Sequence, residues 1–257
     1  MPEYKLSAAE VDFFNENGYL LVKDLLTPEE VEEYRNLYED FLSNKIDVSK
    51  NRGDLAGKRD GEDDVKVERI TQIMVPSRVF PALLNQPLHQ KSLAVAQQLM
   101  GDDIALDFDM LIDKAPHTNA PTPWHQDCAY WISMPDTRAA SCWVALDEAV
   151  KENGCMWYVP KSHLLPIRQH RSTGNGSGAL QCDADEAEAV AIELKPGSCV
   201  FHHGATLHYS RGNSTGKRRR AFITNFRPEA MICYEREKGY DHTGEIKVRN
   251  DEANTAD

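Results

Sequence analysis

The chain has 257 residues, with 29 Lys or Arg against 41 Asp or Glu, so its formal charge at pH 7 is −12. A hydrophobic fraction of 41% argues against global disorder, and the acidic balance disfavours nucleic acid and anionic membranes as partners. Mean hydropathy is −0.55 and no apolar run approaches about 18 residues, so we expect no transmembrane helix; with no signal peptide evident, we expect a cytoplasmic protein.

The first hundred residues predict helices around one short strand. Ser7 to Glu10 form a capping box that begins a helix, and Gly18 ends it. Tyr19 to Val22 is a short apolar run typical of a strand. Thr27 to Glu30 begin a second helix, with Pro in its first turn, and Pro87 to Met100 predict a third. Between these helices, the polar residues 44–66 predict a long loop, of the kind that often forms lids or binding loops.

Beyond residue 102 the pattern changes from helical to alternating. Ile104 to Ile112 alternate in the manner of a strand. Further short strands are predicted around 124–131, 139–147, 155–159, 189–194, 198–202, 206–210 and 220–226. Many short strands without helices between them predict a sandwich or a barrel. A second mobile loop is predicted over 171–187.

These patterns predict a single domain spanning residues 1–257. We expect an N-terminal helical layer over about 1–100, a barrel core over about 102–230 and a charged C-terminal tail. No internal repeat or linker divides the chain.

A His-x-Asp motif at His125 and Asp127 carries the first chemical signal. In a strand, residues two apart point to the same face, so the imidazole and the carboxylate would lie side by side. With one distant His they would complete the two-His, one-carboxylate triad of non-haem Fe(II) oxygenases, which leaves positions open on the metal. The motif alone is weak, because a surface His beside a solvated Asp has the same sequence.

The order of the later residues strengthens this interpretation. His208 follows in the same β-rich half, and Arg219 begins the next strand beyond a short turn at 212–216. A guanidinium there could bind the distal carboxylate of a dicarboxylic co-substrate through two hydrogen bonds. Metal, open positions and a carboxylate clamp together describe a site for 2-oxoglutarate.

Several ordered motifs accompany these residues. They are N-G-Y-L at 17–20, W-H-Q-D at 124–127, W-V-A-L-D at 143–147 with N-G at 153–154, V-P-K-S-H at 159–163, and a last block from P-G at 196–197 through F-H at 201–202 to H-Y-S and Arg at 208–219. In these motifs, from about Leu6 to about Phe226, the chain resembles the phytanoyl-CoA dioxygenase (PhyH-like) family of Fe(II)/2-oxoglutarate-dependent oxygenases.

The resemblance implies a specific set of site residues. The implied iron ligands are His125, Asp127 and His208. The implied 2-oxoglutarate contacts are Arg219, Ser210, Trp143, Met110 and Gln72. Within the run Lys217 to Arg220 the clamp is uncertain by one position, so Arg218 and Arg220 remain alternatives to Arg219.

The resemblance also implies a fold and an activity. The fold is mainly β with flanking helices: a double-stranded β-helix, or cupin-like jelly-roll barrel, covered by the N-terminal helices, with the metal at its open mouth. The activity is hydroxylation of an unactivated C–H of a small organic metabolite, with Fe(II), 2-oxoglutarate and O₂ as cofactor and co-substrates and with release of succinate and CO₂. Desaturation, epimerisation and ring-forming oxidation at the same iron site, or a catalytically silent ligand-binding barrel, are the alternatives. The sequence reveals neither the substrate nor the oligomeric state.

For several other residues the sequence gives only a weak indication of their role. Tyr130 and Trp131 are candidates for the substrate pocket, although strand aromatics are more often core residues. His202 is expected to be a structural or second-sphere histidine. Asp107 and Asp109 alternate with apolar residues and are expected to face solvent. The sequence does not place Lys114, which either faces the mouth of the barrel or marks a strand end.

Overall fold

A computed structural model describes residues 4–57 and 68–241. The helices in these ranges are α1 (Ala8–Asn17), α2 (Pro28–Leu42), α3 (Pro76–Val79), α4 (Pro87–Met100) and α5 (Glu229–Glu237). The strands are β1 (Tyr19–Val22), β2 (Arg52–Asp54), β3 (Ile70–Met74), β4 (Ile104–Lys114), β5 (Thr122–His125), β6 (Ala140–Ala145), β7 (Met156–Tyr158), β8 (Arg171–Ser172), β9 (Leu180–Gln181), β10 (Val190–Ile192), β11 (Cys199–His203), β12 (His208–Ser210) and β13 (Arg219–Pro228). Among these helices, none has both the length and the apolar character needed to cross a bilayer.

Two antiparallel sheets face each other across a central cavity. Within the described ranges, the larger sheet has the order β1-β11-β6-β13-β4-β3-β2 and the smaller one the order β10-β7-β12-β5. The cavity between them is lined by side chains from both sheets. This is the jelly-roll arrangement of a double-stranded β-helix, mainly β with flanking helices, and it confirms the predicted fold class.

The N-terminal helices begin and end where the sequence predicts. The Ser7 side chain accepts a hydrogen bond from the Glu10 amide while the Glu10 carboxylate accepts one from the Ser7 amide, and Thr27 and Glu30 form the same capping box for α2. Gly18 ends α1 with a φ of 78°, in the left-handed region that glycine adopts without strain. The chain can therefore turn directly into β1, which pairs with β11.

A helical layer covers the outer face of the larger sheet. One apolar cluster joins α2, α4 and the strands β4, β6, β11 and β13; it includes Val31, Tyr34, Tyr38, Phe41, Leu88, Val95, Leu111, Cys142, Phe201 and Phe222. Each large apolar side chain that is fully buried contributes about 1.5–3 kcal/mol to the free energy of folding. This packing buries the outer face of the sheet, while side chains on its inner face line the cavity.

The predicted strand at 124–131 is wrong in its second half. Strand β5 ends at His125, and residues Asp127–Tyr130 form a 3-10 turn. Gln126 stabilises this turn because its side-chain amide donates to the Ala205 carbonyl at 2.8 Å and accepts from the Arg168 amide at 2.9 Å. Asp127 is therefore brought beside His125 by a turn and not by the alternation of a strand.

The expectation that Asp107 and Asp109 face solvent is also wrong. Both side chains are fully buried, because α4 and α5 pack against this strand. Asp109 accepts hydrogen bonds from Ser77 Oγ at 2.8 Å and from His89 Nε2 at 2.9 Å. Asp107 pairs with Arg227, whose Nε lies 2.7 Å away. Buried carboxylates of this kind are tolerated because they are paired.

Regions predicted as loop or tail contain further elements. The described part of loop 44–66 contains β2, which pairs with the unpredicted strand β3, and residues 58–66 lie outside the described ranges. Loop 171–187 contains the hairpin of β8 and β9. Helix α5 occupies the beginning of the predicted tail, and residues 242–257 are outside the described ranges.

Candidate metal and co-substrate site

Three side chains with metal-binding atoms meet at one end of the smaller sheet. His125 is the last residue of β5 and His208 the first of β12, and the two lie directly opposite each other in the ladder. Asp127 reaches them from the following turn, with Oδ1 at 3.7 Å from His125 Nε2 and 3.6 Å from His208 Nε2. All three ligand atoms lie within 4.8 Å of one another.

Backbone carbonyls fix which nitrogen of each histidine faces the carboxylate. Nδ1 of His125 lies 2.8 Å from the Pro123 carbonyl, and Nδ1 of His208 lies 2.8 Å from the Thr206 carbonyl. A carbonyl only accepts, so each Nδ1 carries the hydrogen and each Nε2 presents a lone pair. Three lone-pair donors thus converge without a hydrogen between them.

A divalent cation bound between these three atoms would offset the repulsion between their lone pairs. Two atoms that each bind one ion at about 2.1 Å are separated by about 3–3.6 Å. The distances from Asp127 Oδ1 to the two imidazole nitrogens, 3.7 and 3.6 Å, are close to this range. Two imidazoles and one carboxylate on one side of the ion leave coordination positions open, the arrangement typical of non-haem Fe(II) sites. The residues therefore fit the metal that the sequence predicts.

All three candidate side chains are in the deprotonated form that metals bind. Burial lowers the pKa of both His125 and His208 below the ordinary value. Burial alone would raise the pKa of Asp127, but His208, His202 and His125 around it bring that pKa below its ordinary value. Metal ions compete with protons for such groups, so low pKa values favour metal binding at neutral pH.

The second oxygen of Asp127 is held away from the histidine pair. Oδ2 accepts from His202 Nε2 at 3.0 Å and from Ser141 Oγ at 2.7 Å. His202 thus has the second-sphere position expected for it. With Oδ2 occupied, Oδ1 is the oxygen directed at His125 and His208.

Arg219 lies in the same cavity, and no carboxylate in the described part of the chain forms an ion pair with it. It is 1% exposed, its guanidinium stacks over the Trp143 ring at 5.1 Å, and Nε and Nη1 have no hydrogen-bond partner among the described residues. Burial lowers the pKa of Arg219 to about 10, so it remains a cation at neutral pH. A buried cation without an anionic partner is costly, and a ligand carboxylate would satisfy it.

The neighbouring arginines are already paired. Arg218 forms an ion pair with the buried Asp113, and Arg220 binds Asp147 at 2.8 Å. Of the three arginines, Arg219 alone lines the cavity. This placement favours Arg219 as the clamp over the two alternatives.

The cavity has a volume of about 360 Å³ and is mostly apolar. Besides the residues above, its walls contain every other predicted site residue: Gln72, Met110, Tyr130, Trp131, Trp143 and Ser210. The two predicted loops also contribute, through Leu55 and through Ser177–Leu180. Tyr130 connects to the second loop because its hydroxyl accepts from the Leu180 amide at 2.8 Å.

Lys114, which the sequence leaves unassigned, is fully buried behind this cavity. It lies opposite Arg219 in the ladder between β4 and β13. Its ammonium donates to the carbonyls of Ala120, Ser210 and Arg211 at 3.1, 3.3 and 2.7 Å. Lys114 therefore ties the end of β12, where Ser210 lies, to the strand next to Arg219.

Sequence reasoning missed Ser141 and Asn225, which line the cavity under Asp127. Neither belongs to a recognisable motif. Its position in the sequence does predict that Ser141 faces the cavity, because Ser141 is two residues before Trp143 on β6 and therefore lies on the same face of the strand.

Comparisons with known proteins agree with this geometry. A family model described as Phytanoyl-CoA dioxygenase (PhyH) matches residues 14–221. A "Probable phytanoyl-CoA dioxygenase" of Caenorhabditis elegans is 26% identical over 250 residues, which cover 91% of this chain and 79% of the relative. The solved structure of EvdO2 from Micromonospora carbonacea var. aurantiaca, complexed with 2-oxoglutarate, is 29% identical with a TM-score of 0.70 and covers 87% of this chain and 91% of its own. SnoK, a non-heme alpha ketoglutarate dependent carbocyclase from nogalamycin biosynthesis, is 25% identical with a TM-score of 0.66 and coverage of 86% and 84%.

Proposed function

The chain belongs to the phytanoyl-CoA dioxygenase family of Fe(II)/2-oxoglutarate-dependent oxygenases, and we propose that it hydroxylates an unactivated C–H bond of a small organic metabolite, releasing succinate and CO₂. One observation carries the proposal. A set of three deprotonated metal-binding atoms shares an apolar cavity with a buried guanidinium whose Nε and Nη1 have no partner among the described residues. That combination suits a metal and a dicarboxylate bound side by side.

In this proposal His125, Asp127 and His208 hold Fe(II), with Asp127 binding through Oδ1. Bound iron and 2-oxoglutarate supply the oxidising chemistry, as in other enzymes whose cofactors carry the reaction. The protein contributes fixed ligands: the Pro123 and Thr206 carbonyls hold both imidazoles with Nε2 forward.

Arg219 is proposed to bind the distal carboxylate of 2-oxoglutarate. Its planar fork offers two parallel N–H donors, and the Nε and Nη1 hydrogens are uncommitted within the described part of the chain. Ser210 would add a hydroxyl donor. Trp143 and Met110 would pack beside the carbon chain, with Gln72 as a polar contact from β3.

The rest of the cavity is proposed to bind the substrate. Tyr130 and Trp131 line it beside Phe108, Met74 and Leu180. Such walls exclude water and place a carbon–hydrogen bond near the metal without charged contacts. The partner is thus a small molecule, at least in the part that enters the cavity.

Ring-forming oxidation is the second candidate outcome, because the carbocyclase SnoK is 25% identical over 86% of this chain. Product mass distinguishes the outcomes: hydroxylation adds one oxygen atom, ring closure or desaturation removes two hydrogen atoms, and epimerisation leaves the mass unchanged. The complete ligand set disfavours a catalytically silent barrel.

We also propose that residues 1–257 form one oxygenase domain. The support is the apolar cluster shared by α2, α4 and the larger sheet, which gives the helices and strands a common core.

Succinate release tests the activity. Protein loaded with Fe(II) and 2-oxoglutarate in air should form succinate slowly alone and faster with a substrate found by screening a diverse panel. His208→Ala is the control. If wild-type protein releases no more succinate than this variant under every condition, the proposed activity is wrong.

A further inference from the structure

We propose that Ser141 and Asn225 are positioning residues of the metal centre, which hold Asp127 as a ligand through one oxygen only. Asn225 acts through Ser141, and Ser141 acts on Asp127. The inference rests on the proposed function of His125, Asp127 and His208 as metal ligands.

The two residues belong to a polar row across the larger sheet. Ser141 on β6 lies directly opposite Asn225 on β13 and opposite His202 on β11. Ser141 is 2% exposed and Asn225 4% exposed, so water does not compensate for a missing hydrogen bond in this row. The row runs directly beneath the carboxylate of Asp127.

Counting hydrogens fixes the direction of the hydrogen bonds. Ser141 Oγ lies 2.7 Å from Asp127 Oδ2 and 2.7 Å from Asn225 Oδ1, but a hydroxyl has a single hydrogen and both of these atoms are acceptors. Asn225 Nδ2 meanwhile has no partner in the described part of the chain. A half-turn of the amide exchanges its two ends. Nδ2 then donates to Ser141 Oγ, and Oγ donates to Asp127.

This direction has a consequence for the metal. Oδ2 of Asp127 accepts from Ser141 and, at 3.0 Å, from His202. To bind a metal through both oxygens, the carboxylate would have to give up these two hydrogen bonds. The row would thus leave Oδ1 as the one oxygen of Asp127 that binds a metal, with room beside the metal for 2-oxoglutarate or O₂.

Cobalt(II) binding to the metal-free protein, without oxygen, tests the role of Ser141. Second-sphere partners of metal ligands typically change affinity by about 10–100-fold. We therefore expect Ser141→Ala to weaken Co(II) binding by about tenfold or more, with a changed visible Co(II) spectrum because the carboxylate can turn. Ser141→Thr keeps the hydroxyl and should restore both. Thr224→Val is the matched control, since Thr224 is a buried hydroxyl on β13 that contacts Ser92 on the opposite face of the sheet.

A second prediction follows from the order in which Asn225 acts on Ser141 and Ser141 acts on Asp127. Asn225→Ala should weaken Co(II) binding less than Ser141→Ala, and the double variant should match Ser141→Ala alone. Thermal unfolding of each metal-free variant checks folding, and Asn225→Ala still tests the row if Ser141→Ala does not fold.

The outcomes separate the two proposals. If Ser141→Ala has wild-type affinity for Co(II) and an unchanged Co(II) spectrum, this inference is wrong while the metal site stands. If the losses of Co(II) affinity in the two single variants add up in the double variant, Asn225 does not act through Ser141. If wild-type protein binds neither Co(II) nor Fe(II), the proposed function itself is wrong.

Discussion

Replacing Arg219 by Met removes the proposed carboxylate clamp while keeping a long apolar side chain against Trp143. The wild-type guanidinium is 1% exposed and, within the described residues, no carboxylate is paired with it. The variant should therefore lose 2-oxoglutarate binding selectively. Iron binding should persist, because the proposed ligands lie on β5, β12 and the turn after β5.

The structure sets the expected size of the effect. Two hydrogen bonds from a charged donor contribute about 1.5–3 kcal/mol each, so the loss is about 3–6 kcal/mol. At about 1.4 kcal/mol per tenfold, affinity for 2-oxoglutarate should fall by about 10²–10⁴. The free energy of unfolding without ligand should stay at the wild-type value or rise, because a buried unpaired cation is replaced by an apolar group.

The assay is a titration of the Fe(II) protein with 2-oxoglutarate in the absence of oxygen, beside chemical unfolding of the ligand-free protein. Arg218→Met and Arg220→Met are matched controls. Arg218→Met removes the ion-pair partner of the buried Asp113, and Arg220→Met leaves Asp147 with Arg35 alone, at 3.5 Å. Stability should therefore fall in both controls while 2-oxoglutarate affinity stays near the wild-type value. Wild-type affinity in Arg219→Met, or a selective loss in Arg218→Met or Arg220→Met, would refute the assignment of the clamp.

Two further predictions concern pH and backbone geometry. The pKa values of His125 and His208 are lowered from 6.5, so both imidazoles are neutral above that pH. Co(II) affinity, measured by titration at several pH values, should therefore stay constant down to about pH 6.5 and fall only at lower pH. A loss of affinity already between pH 8 and 7 would contradict this prediction. Gly154→Ala should lower the free energy of unfolding by more than about 1–3 kcal/mol, because φ is 91° and the added Cβ would lie 2.4 Å from the Arg211 carbonyl oxygen. Gly174→Ala is its control, with a φ of 72° but open space around the Cβ, and equal losses in the two variants would show that the contact has no effect.

Much of the candidate site follows from the sequence because its chemistry depends on residue type and order. A histidine, a carboxylate two residues later, a distant histidine and then an arginine are visible without coordinates. The sequence does not determine which of the adjacent residues Arg218, Arg219 and Arg220 faces the cavity and can bind the co-substrate. A shift of one residue along a strand reverses the face of each side chain, and the partners that occupy Arg218 and Arg220 come from distant strands and loops.

The errors have a common physical cause, which is burial by elements distant in the chain. Asp107 and Asp109 have the alternation of a strand with one solvated face, yet helices α4 and α5 cover that face. Their partners are Arg227 on the neighbouring strand β13 and His89 on α4. Ser141 was missed for a related reason. A lone serine has no motif, and its contact with Asp127 depends on a turn that the alternation did not predict.

The central claim is that one cavity binds iron and 2-oxoglutarate together, and visible absorption without oxygen tests it most directly. Addition of Fe(II) and 2-oxoglutarate to the wild-type protein should produce a weak charge-transfer band, since the co-substrate chelates the bound metal. The band should be absent from the double variant Asp127→Ala, His208→Ala. A wild-type protein without the band, or a double variant with the full band, would contradict the claim.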